Sequence, residues 1–378
     1  MQFTFDEYKT NVFFSSKVPD FTQISEDLKK NSPETSAGNI RALLIADENT
    51  KYIADLINKD KNLPICLLKS GENNKNWQSI EEILSAAHRA QLGRDCVFIA
   101  AGGGVIGDLT GFAASIYKRG CRFVLVSTTL LGMVDASVGG KTGFDLFEIK
   151  NLAGTFYPAN SVYMPQDTLL TLPQKEWKSG FAELIKTAVL ETSDNFLDQI
   201  SDIIKEQGTK NIDICSLFSL NSSLLQKLIE RAVLFKGSVV SEDMRESGKR
   251  MILNLGHTFG HALESVMGLG AQSEFAISHG EAVAWGIVRA CELGTYLGIT
   301  PNNRAEKIIN IIESFGYNIT LPLADNKNVH DLLNAMKSDK KNKKNKLTFI
   351  VPDKNSAQIV ELESENKQLE IIISKGLA

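Results

Sequence analysis

The sequence lacks the features that would place the protein in a membrane or outside the cell. No apolar run approaches the roughly 18 residues of a membrane-spanning helix, so we expect no membrane contact. Met1–Thr10 contains acidic residues and no apolar stretch, so we expect no signal peptide. The five cysteines are widely spaced and form no Cys-x-x-Cys motif, which predicts reduced thiols in a cytoplasmic protein.

An excess of positive charge is also missing. The formal net charge is −4, which gives no reason to expect nucleic acid as a partner. The lysine-rich run at residues 337–346 is typical of a solvated loop, and a nucleic-acid-binding protein that uses it is a disfavoured alternative. With 378 residues and 43% apolar content, the chain is long enough to bury the cores of two domains.

Histidine is rare, but three of the five histidines lie between residues 257 and 279. His257 and His261 are four residues apart, so on a helix they share one face, and His279 follows after a short loop. Glu183 lies in an apolar helical segment, three residues before Lys186. Zinc takes imidazole and carboxylate ligands, so this set predicts a metal site. The alternative is unrelated histidines beside an ordinary surface salt bridge between Glu183 and Lys186.

The first half of the chain alternates short apolar runs with segments of helical periodicity, which predicts a parallel sheet with crossover helices. A G-x-G-x-x-G motif at Gly102–Gly107 follows the apolar run Asp95–Ala101 and precedes the helical segment Leu109–Tyr117. This context favours a pyrophosphate-binding turn, although a plain tight turn gives the same pattern. Asp47 ends an earlier strand, where an acid often binds a ribose hydroxyl or simply faces solvent.

The second half changes character after Pro173, where glycine becomes less frequent and segments of helical periodicity dominate. Among these predicted helices are Lys175–Leu190, Met251–Met267 and Glu281–Leu297. We therefore expect one domain at residues 1–170 and a second, helical one at residues 171–378. Before the boundary, Lys141, Lys150 and Asn151 flank a glycine-rich stretch. Such residues suit an anionic ligand, but ordinary surface lysines remain the alternative.

Several motifs occur together, in order, between about residues 40 and 350. They are G-G-G-V-I-G-D at 102–108, Y-K-R-G at 117–120, V-D-A-S-V-G-G-K-T-G at 134–143, K-N at 150–151, A-E-L-I-K at 182–186, Lys236, R-M-I-L-N-L-G-H-T-F-G-H at 250–261, H-G-E-A-V at 279–283 and D-K-K at 339–341. In this combination the chain resembles the 3-dehydroquinate synthases, within the wider sugar phosphate cyclases. The resemblance implies an α/β fold, with an N-terminal Rossmann-like parallel-sheet domain that binds NAD and an all-helical metal-binding domain.

The resemblance also implies roles for individual residues. The residues that match the family's metal ligands, for Zn2+ or Co2+, are Glu183, His257 and His279. Those that match catalytic positions are Lys141, Lys186, Lys236, Arg250, Asn254 and His261, the last of which contacts substrate and phosphate. Further substrate-binding positions are Asp135, Lys150, Asn151, Lys341 and Arg119. In such families the arginine that Arg119 matches reaches the phosphate from the neighbouring subunit. Positions around the dinucleotide are Asp47, Glu72, Lys75, Gly103, Gly104, Asp108, Thr128, Thr129, Lys141 and Lys150.

The activity that the resemblance implies is a step of the shikimate pathway, which leads to aromatic amino acids. The substrate would be 3-deoxy-D-arabino-heptulosonate 7-phosphate, converted to 3-dehydroquinate and phosphate. The implied steps are transient oxidation by NAD, phosphate elimination, reduction and an intramolecular aldol closure. A cytoplasmic homodimer is implied as well.

The chain departs from the family pattern at several points. Ser127 stands where proline is common, Ile149 stands where glycine is common, and the segment at 144–148 is unusual. The spacing between His257 and His279 is also longer than usual. These departures keep two alternatives open: another sugar phosphate cyclase of secondary metabolism, or a metal-dependent polyol dehydrogenase.

Overall fold

The computed structural model describes residues 1–31, 40–147, 149–192, 195–208, 211–267, 277–322, 326–337 and 346–377. The elements of the first part of the chain are β1 (Gln2–Phe5), β2 (Tyr8–Ser15), α1 (Phe21–Asn31), β3 (Ala42–Asp47), α2 (Lys51–Ile57), β4 (Ile65–Leu68), α3 (Trp77–Arg89), β5 (Val97–Gly102), α4 (Gly104–Ile116), β6 (Arg122–Ser127), β7 (Lys141–Leu146), β8 (Ile149–Phe156) and β9 (Ser161–Pro165). Those that follow are α5 (Gln174–Leu190), α6 (Asn195–Gln207), α7 (Ile214–Leu220), α8 (Ser222–Glu242), α9 (His257–Met267), α10 (His279–Tyr296), α11 (Asn302–Ser314), α12 (Asn326–Lys337), β10 (Lys346–Pro352), β11 (Ala357–Glu363) and α13 (Lys367–Lys375).

These elements form two compact units. The first unit comprises Met1–Pro173 and Ser222–Arg245, and the second comprises Gln174–Asn221 and Glu246–Ala378. The sequence analysis placed all of residues 171–378 in one helical domain, whereas helix α8 groups with the first unit. The reason is close packing, since a Cβ atom added to Gly237 of α8 would lie 2.1 Å from the ring of Phe3 in β1.

The first unit is built on a seven-stranded sheet in the order β1-β2-β9-β6-β5-β3-β4. Strands β1 and β2 pair antiparallel, and the other pairs are parallel. Strand β5 is buried along its whole length, as expected for a parallel strand that is covered on both faces. The predicted α/β fold with a Rossmann-like sheet is confirmed.

A hairpin of β7 and β8 forms a separate two-stranded sheet in this unit. A π-helical turn at Gly132–Ala136 precedes this hairpin and is separated from β7 by residues 137–140. Strand β8 is mostly exposed and therefore shows no alternation of buried and exposed apolar residues. Strand β8 is therefore held in place by its pairing with β7, which local periodicity does not predict.

In its described residues, the second unit is helical apart from the antiparallel hairpin of β10 and β11. Its core contains apolar side chains from α9, α10, α12, β10 and α13, with Phe259 of α9 against Phe349 of β10 at a ring-centroid distance of 4.9 Å. In the described part of the chain, no helix is both long and apolar enough to cross a membrane.

The predicted continuous helix over residues 251–267 is interrupted in the structure. A 3₁₀ turn covers Lys249–Asn254, and α9 begins only at His257. Gly256 between them adopts a left-handed conformation with φ +78°, which favours glycine. A Cβ atom at this position would also lie 2.9 Å from the carbonyl oxygen of Val283 in α10. The break therefore makes His257 the first residue of its helix.

Candidate functional site

The segments that the resemblance assigns to the dinucleotide meet at one edge of the sheet in the first unit. Strands β3, β5 and β6 are parallel and end at Asp47, Gly102 and Ser127. In such sheets, ligands bind beyond the carboxyl ends of the strands. The backbone N–H of Thr128 donates to the carbonyl of Gly102 at 3.0 Å, so the turns after β5 and β6 are joined.

Two glycines in the turns after β5 and β6 leave no room for a side chain. Helix α4 begins at Gly104, and a Cβ atom on the preceding Gly103 would lie 2.9 Å from Cγ2 of Thr129. A Cβ atom on Gly132, in the turn after β6, would lie 2.5 Å from Oγ of Ser127. The packing of the two turns therefore requires glycine at these positions. The N-terminus of α4 beside them is the kind of site that binds a pyrophosphate group.

Asp47 is engaged in a local network at the end of β3. Its Oδ1 accepts hydrogen bonds from the backbone N–H groups of Asn49 and Thr50 and from the Thr50 hydroxyl, each at 2.9 Å. This network fixes the turn into α2. The ribose contact of Asp47 stays a prediction, as does the role of Glu72, which begins a 3₁₀ turn after β4.

Lys75 joins two residues that the sequence analysis assigned to different ligands. Its Nζ lies 2.6 Å from Oδ2 of Asp108 and 2.7 Å from Oδ1 of Asn151. Burial alone would lower the pKa of Lys75, but the carboxylates of Asp108 and Glu72 outweigh it and raise this pKa above its ordinary value. The ammonium group therefore stays charged.

The β7–β8 hairpin is tied to the same cluster. The backbone N–H of Asp145 donates to the carbonyl of Lys75, and Oδ1 of Asp145 accepts from the backbone N–H of Asn151, both at 2.7 Å. Asn151 adopts a left-handed conformation with φ +48°. Asp145 was not among the predicted site residues, since nothing in its local sequence distinguishes it from a surface acid.

A second, partly buried ion pair in the first unit joins a predicted catalytic residue and a predicted substrate-binding residue. Nζ of Lys236, on α8, lies 2.6 Å from Oδ1 and 2.5 Å from the backbone oxygen of Asp135. Asp135 belongs to the π-helical turn at Gly132–Ala136, and such turns are frequent at functional sites. Lys236 is buried, so its charge is held in a fixed place.

The remaining predicted cations of the first unit lie on its surface. Lys141 begins β7 and lines a small cavity together with Gly103 and Gly104, whereas Lys150 is exposed on β8. Arg119 is exposed in the turn after α4, and it adopts a left-handed conformation with φ +66°. A non-glycine residue held in this region is strained, which is common where a side chain has a binding role.

The second unit contains a cluster of candidate metal ligands. Glu183 lies on α5, and His257 and His279 are the first residues of α9 and α10. One ligand atom from each lies within 4.8 Å of the others. The Nε2 atoms of His257 and His279 are 3.7 and 3.4 Å from Oε1 of Glu183. Two imidazoles and a carboxylate are a set that catalytic zinc sites use, with one position left for substrate.

Glu183 also pairs with Lys186, whose Nζ lies 2.5 Å from the other carboxylate oxygen, Oε2. The side chains of both residues are at most 3% exposed. The alternative of an ordinary surface salt bridge is therefore wrong. Lys186 holds one oxygen of the carboxylate while the second oxygen faces the histidines.

His261 lies beside this cluster but outside it. Its ring centroid is 5.0 Å from that of His257 and 6.3 Å from that of His279, and its side chain is exposed. The i, i+4 spacing alone made His261 a candidate ligand. Among the described residues, however, the group that can hold a metal consists of Glu183, His257 and His279.

Two further predicted residues lie in the 3₁₀ turn before α9. Arg250 is buried there, and the side-chain amide of Asn254 donates to Oε1 of Glu246. Lys341 lies outside the described residues. The roles of all these residues in catalysis stay predictions.

Sequence reasoning missed a buried carboxylate beside the cluster. Oε1 of Glu264, on α9, lies 3.1 Å from Nδ1 of His279. Burial lowers the pKa of His279, but hydrogen bonds to Glu183 and Glu264 raise it to about 10. The only signal for Glu264 is its distance of seven residues from His257, which places both on one face of a helix.

The chain is similar to one family over most of its length. Residues 65–179 match the family model described as 3-dehydroquinate synthase N-terminal, and residues 180–342 match that described as 3-dehydroquinate synthase C-terminal. A 3-dehydroquinate synthase of Prochlorococcus marinus (strain NATL1A) is 38% identical over 309 residues, which make up 82% of this chain and 79% of that protein.

Two solved structures share the fold of this chain. A 2-deoxy-scyllo-inosose synthase complexed with carbaglucose-6-phosphate, NAD+ and Co2+ gives a TM-score of 0.80 at 23% identity, covering 100% of this chain and 99% of that one. The 2-epi-5-epi-valiolone synthase of Streptomyces hygroscopicus subsp. jinggangensis 5008, with NAD+ and Zn2+ bound, gives 0.79 at 21% identity, covering 98% of each chain.

Proposed function

The chain belongs to the 3-dehydroquinate synthase family, and on that basis we propose that it converts 3-deoxy-D-arabino-heptulosonate 7-phosphate to 3-dehydroquinate and phosphate. It is an enzyme of the phosphorus–oxygen lyase class. The single observation that carries the proposal beyond family membership is the convergence of Glu183, His257 and His279, because the reaction needs a Lewis acid next to vicinal hydroxyls.

The donor set of this cluster fits zinc. Glu183, His257 and His279 would hold the ion, and Lys186 would keep the carboxylate of Glu183 turned so that Oε1 faces it. The glycine turn after β5 and the start of α4 would hold the pyrophosphate of NAD. When bound, zinc supplies Lewis acidity toward substrate hydroxyls, and NAD supplies a reversible acceptor for hydride.

The substrate carries a carboxylate and a phosphate, and we assign its binding to cationic side chains. Arg119 and Arg250 can donate two parallel hydrogen bonds to phosphate or carboxylate oxygens. Lysines such as Lys150 act as point charges instead. Lys236 is held against Asp135, so its charge needs little rearrangement when an anion binds. The protein's own part in catalysis is thus mainly orientation and charge.

Loss of phosphate requires a proton to leave the carbon next to the transient ketone. We assign no side chain of this chain as that base, since an oxygen of the departing phosphate can accept the proton itself. His261, exposed one helical turn after His257, would then donate a hydrogen bond to the phosphate or the substrate. The final aldol closure needs the substrate to be held folded, which is a matter of positioning.

The test is to incubate the purified protein with the heptulosonate phosphate, zinc and NAD at a concentration far below that of the substrate. We expect stoichiometric release of phosphate, 3-dehydroquinate as product and no net change in NAD. Phosphate release only from a different sugar phosphate would instead identify a cyclase of secondary metabolism. Continuous accumulation of reduced nicotinamide without phosphate release would identify a polyol dehydrogenase.

We extend the proposal to metal, assembly and location. Zinc is the expected metal, with cobalt as a functional substitute, and a cytoplasmic homodimer is the expected form in the shikimate pathway. Dialysis against a chelator should abolish turnover, and stoichiometric zinc should restore it. Light scattering should give twice the mass of one chain, and a monomer mass would refute the dimer.

A further inference from the structure

The two histidines of the metal cluster are oriented by different partners. Nδ1 of His257 lies 3.2 Å from the backbone oxygen of Leu255, and Nδ1 of His279 lies 3.1 Å from Oε1 of Glu264. Carbonyl and carboxylate oxygens only accept, so each Nδ1 is the donor in its hydrogen bond. Each ring therefore directs Nε2 toward Glu183, where the ion would bind.

The position of Glu264 is set by backbone packing between α9 and α10. A Cβ atom on Gly260 would lie 2.9 Å from the carbonyl oxygen of Ala282, and Gly256 approaches Val283 equally closely. The two helices thus pack nearly backbone to backbone, so α9 can move little along α10. Glu264 follows Gly260 by about one turn and is 5% exposed, which leaves its carboxylate little freedom beside His279.

The backbone of His279 is fixed from a second direction. Ser278 caps α10, and its side chain and backbone N–H both bond to Glu281, which in turn donates its N–H to Ser278. This capping box sets the first turn of the helix, where His279 is the first residue. The capping box holds the main chain, and Glu264 holds the ring.

We propose that Glu264 is a positioning residue that orients the ring of His279 for metal binding and strengthens its donation to the ion. The inference rests on the proposed metal site and adds to it a residue that touches neither metal nor substrate. A carboxylate partner makes an imidazole a better donor than a carbonyl partner does. His279 is therefore the more strongly donating of the two histidines, and its contribution depends on Glu264.

The experiment measures zinc affinity of the full chain by competition with a chromophoric chelator. Loss of an outer carboxylate partner typically weakens metal binding about 10- to 100-fold, and we expect this for Glu264→Ala. Glu264→Gln keeps an acceptor of nearly the same shape but removes the negative charge, so we expect a smaller loss of about three- to tenfold. The matched control is Glu281→Gln, which removes a carboxylate next to His279 but still supports a capping box, so a change below about twofold is expected.

A second readout separates positioning from a purely structural role. Cobalt bound to the chain in place of zinc should show a visible absorption spectrum that differs between Glu264→Ala and the parent, with Glu264→Gln closer to the parent. A spectrum and a zinc affinity of Glu264→Ala equal to those of the parent would overturn the inference. Should Glu264→Ala fail to fold, the comparison of Glu264→Gln with Glu281→Gln decides, since equal zinc affinities in these two would overturn it as well.

His257→Ala distinguishes failure of this inference from failure of the metal site itself. If His257→Ala binds zinc as tightly as the parent, the proposed metal site is wrong, and the role of Glu264 falls with it. If His257→Ala loses zinc while Glu264→Ala does not, only the role of Glu264 is wrong.

Discussion

The two units present their candidate sites by different means. In the first unit, the edge of the sheet offers mainly backbone, and its nearby charged side chains Lys75 and Asp108 are already paired with each other. In the second unit, the site consists of side-chain atoms, with Glu183, His257 and His279 converging on one point. Removal of one side chain should therefore weaken ligand binding only partly at the first site, whereas it should abolish metal binding at the second.

The difference follows from the ligands that each unit is proposed to bind. A pyrophosphate is large and bears charge on several oxygens, so many N–H groups share its binding. A metal ion has few coordination positions, and each ligand supplies a large part of the binding energy. Four predictions test this contrast, from the largest effect to the smallest.

The strongest test replaces Glu183 by glutamine. The amide is nearly isosteric but is a poor zinc ligand, so several kcal/mol of transition-state stabilisation should be lost, or about a thousandfold in kcat. Bound zinc should be measured in parallel by elemental analysis. Glu176→Gln on the same helix is the control and should change kcat less than twofold. Retention of zinc and of kcat in Glu183→Gln would contradict the ligand role.

In the first unit, Lys75→Met should mainly affect folding stability. It leaves the carboxylate of Asp108 without the ammonium that compensates its burial, which we expect to cost about 2 kcal/mol because Asp108 is still partly accessible. Urea denaturation measures this loss. Adding Asp108→Asn to Lys75→Met should recover part of the stability, and a purely additive double variant would refute the coupling.

Two neighbouring glycines provide a finer comparison. A methyl group on Gly103 would meet Thr129 at 2.9 Å, whereas one on Gly104 would meet Ala136 at an ordinary 3.5 Å. Gly103→Ala should therefore lower stability by about 1 kcal/mol, and Gly104→Ala should not. Both should weaken NAD binding, by about tenfold for Gly103→Ala, as measured by isothermal titration calorimetry. Unchanged NAD affinity in both would exclude this turn from the cofactor site.

The smallest effect concerns pH. The folded protein raises the pKa of Lys75 above its ordinary value of 10.5, so its ion pair contributes fully below that pH. This contribution is lost as pH rises through the higher, folded-state pKa. The stability difference between the parent and Lys75→Met should therefore narrow in strongly alkaline solution. A stability difference that grows with pH in this range would contradict the assigned rise in the pKa of Lys75.

The sequence allowed prediction of those parts of the structure that local patterns control. Strand β5 was found as a continuous apolar run, and the glycine turn after it was placed correctly. The helix that follows was also found, but it begins at Gly104 and not at Leu109. The helices that carry Glu183 and His279 were also found, because their apolar residues recur with helical spacing.

The features that were missed depend on contacts between distant segments. Lys75 lies 33 residues from Asp108 and 76 from Asn151, so only the folded sheet brings them together. Glu264 is an unremarkable acid in the sequence, and it acquires a role only through the packing of α9 on α10. The break before His257 escaped notice because the apolar pattern continues through Gly256.

The return of helix α8 to the first unit bears on the order in which the chain matures. During synthesis, Phe3 and the turn at Asp135 emerge long before Gly237 and Lys236, their partners on α8. Part of the surface of the first unit therefore stays uncovered during synthesis, until residues up to Arg245 have left the ribosome and α8 can pack. A fragment that stops at Pro173 would lack α8, so the surface that α8 covers would stay exposed. We expect such a fragment to be bound by chaperones and degraded by proteases.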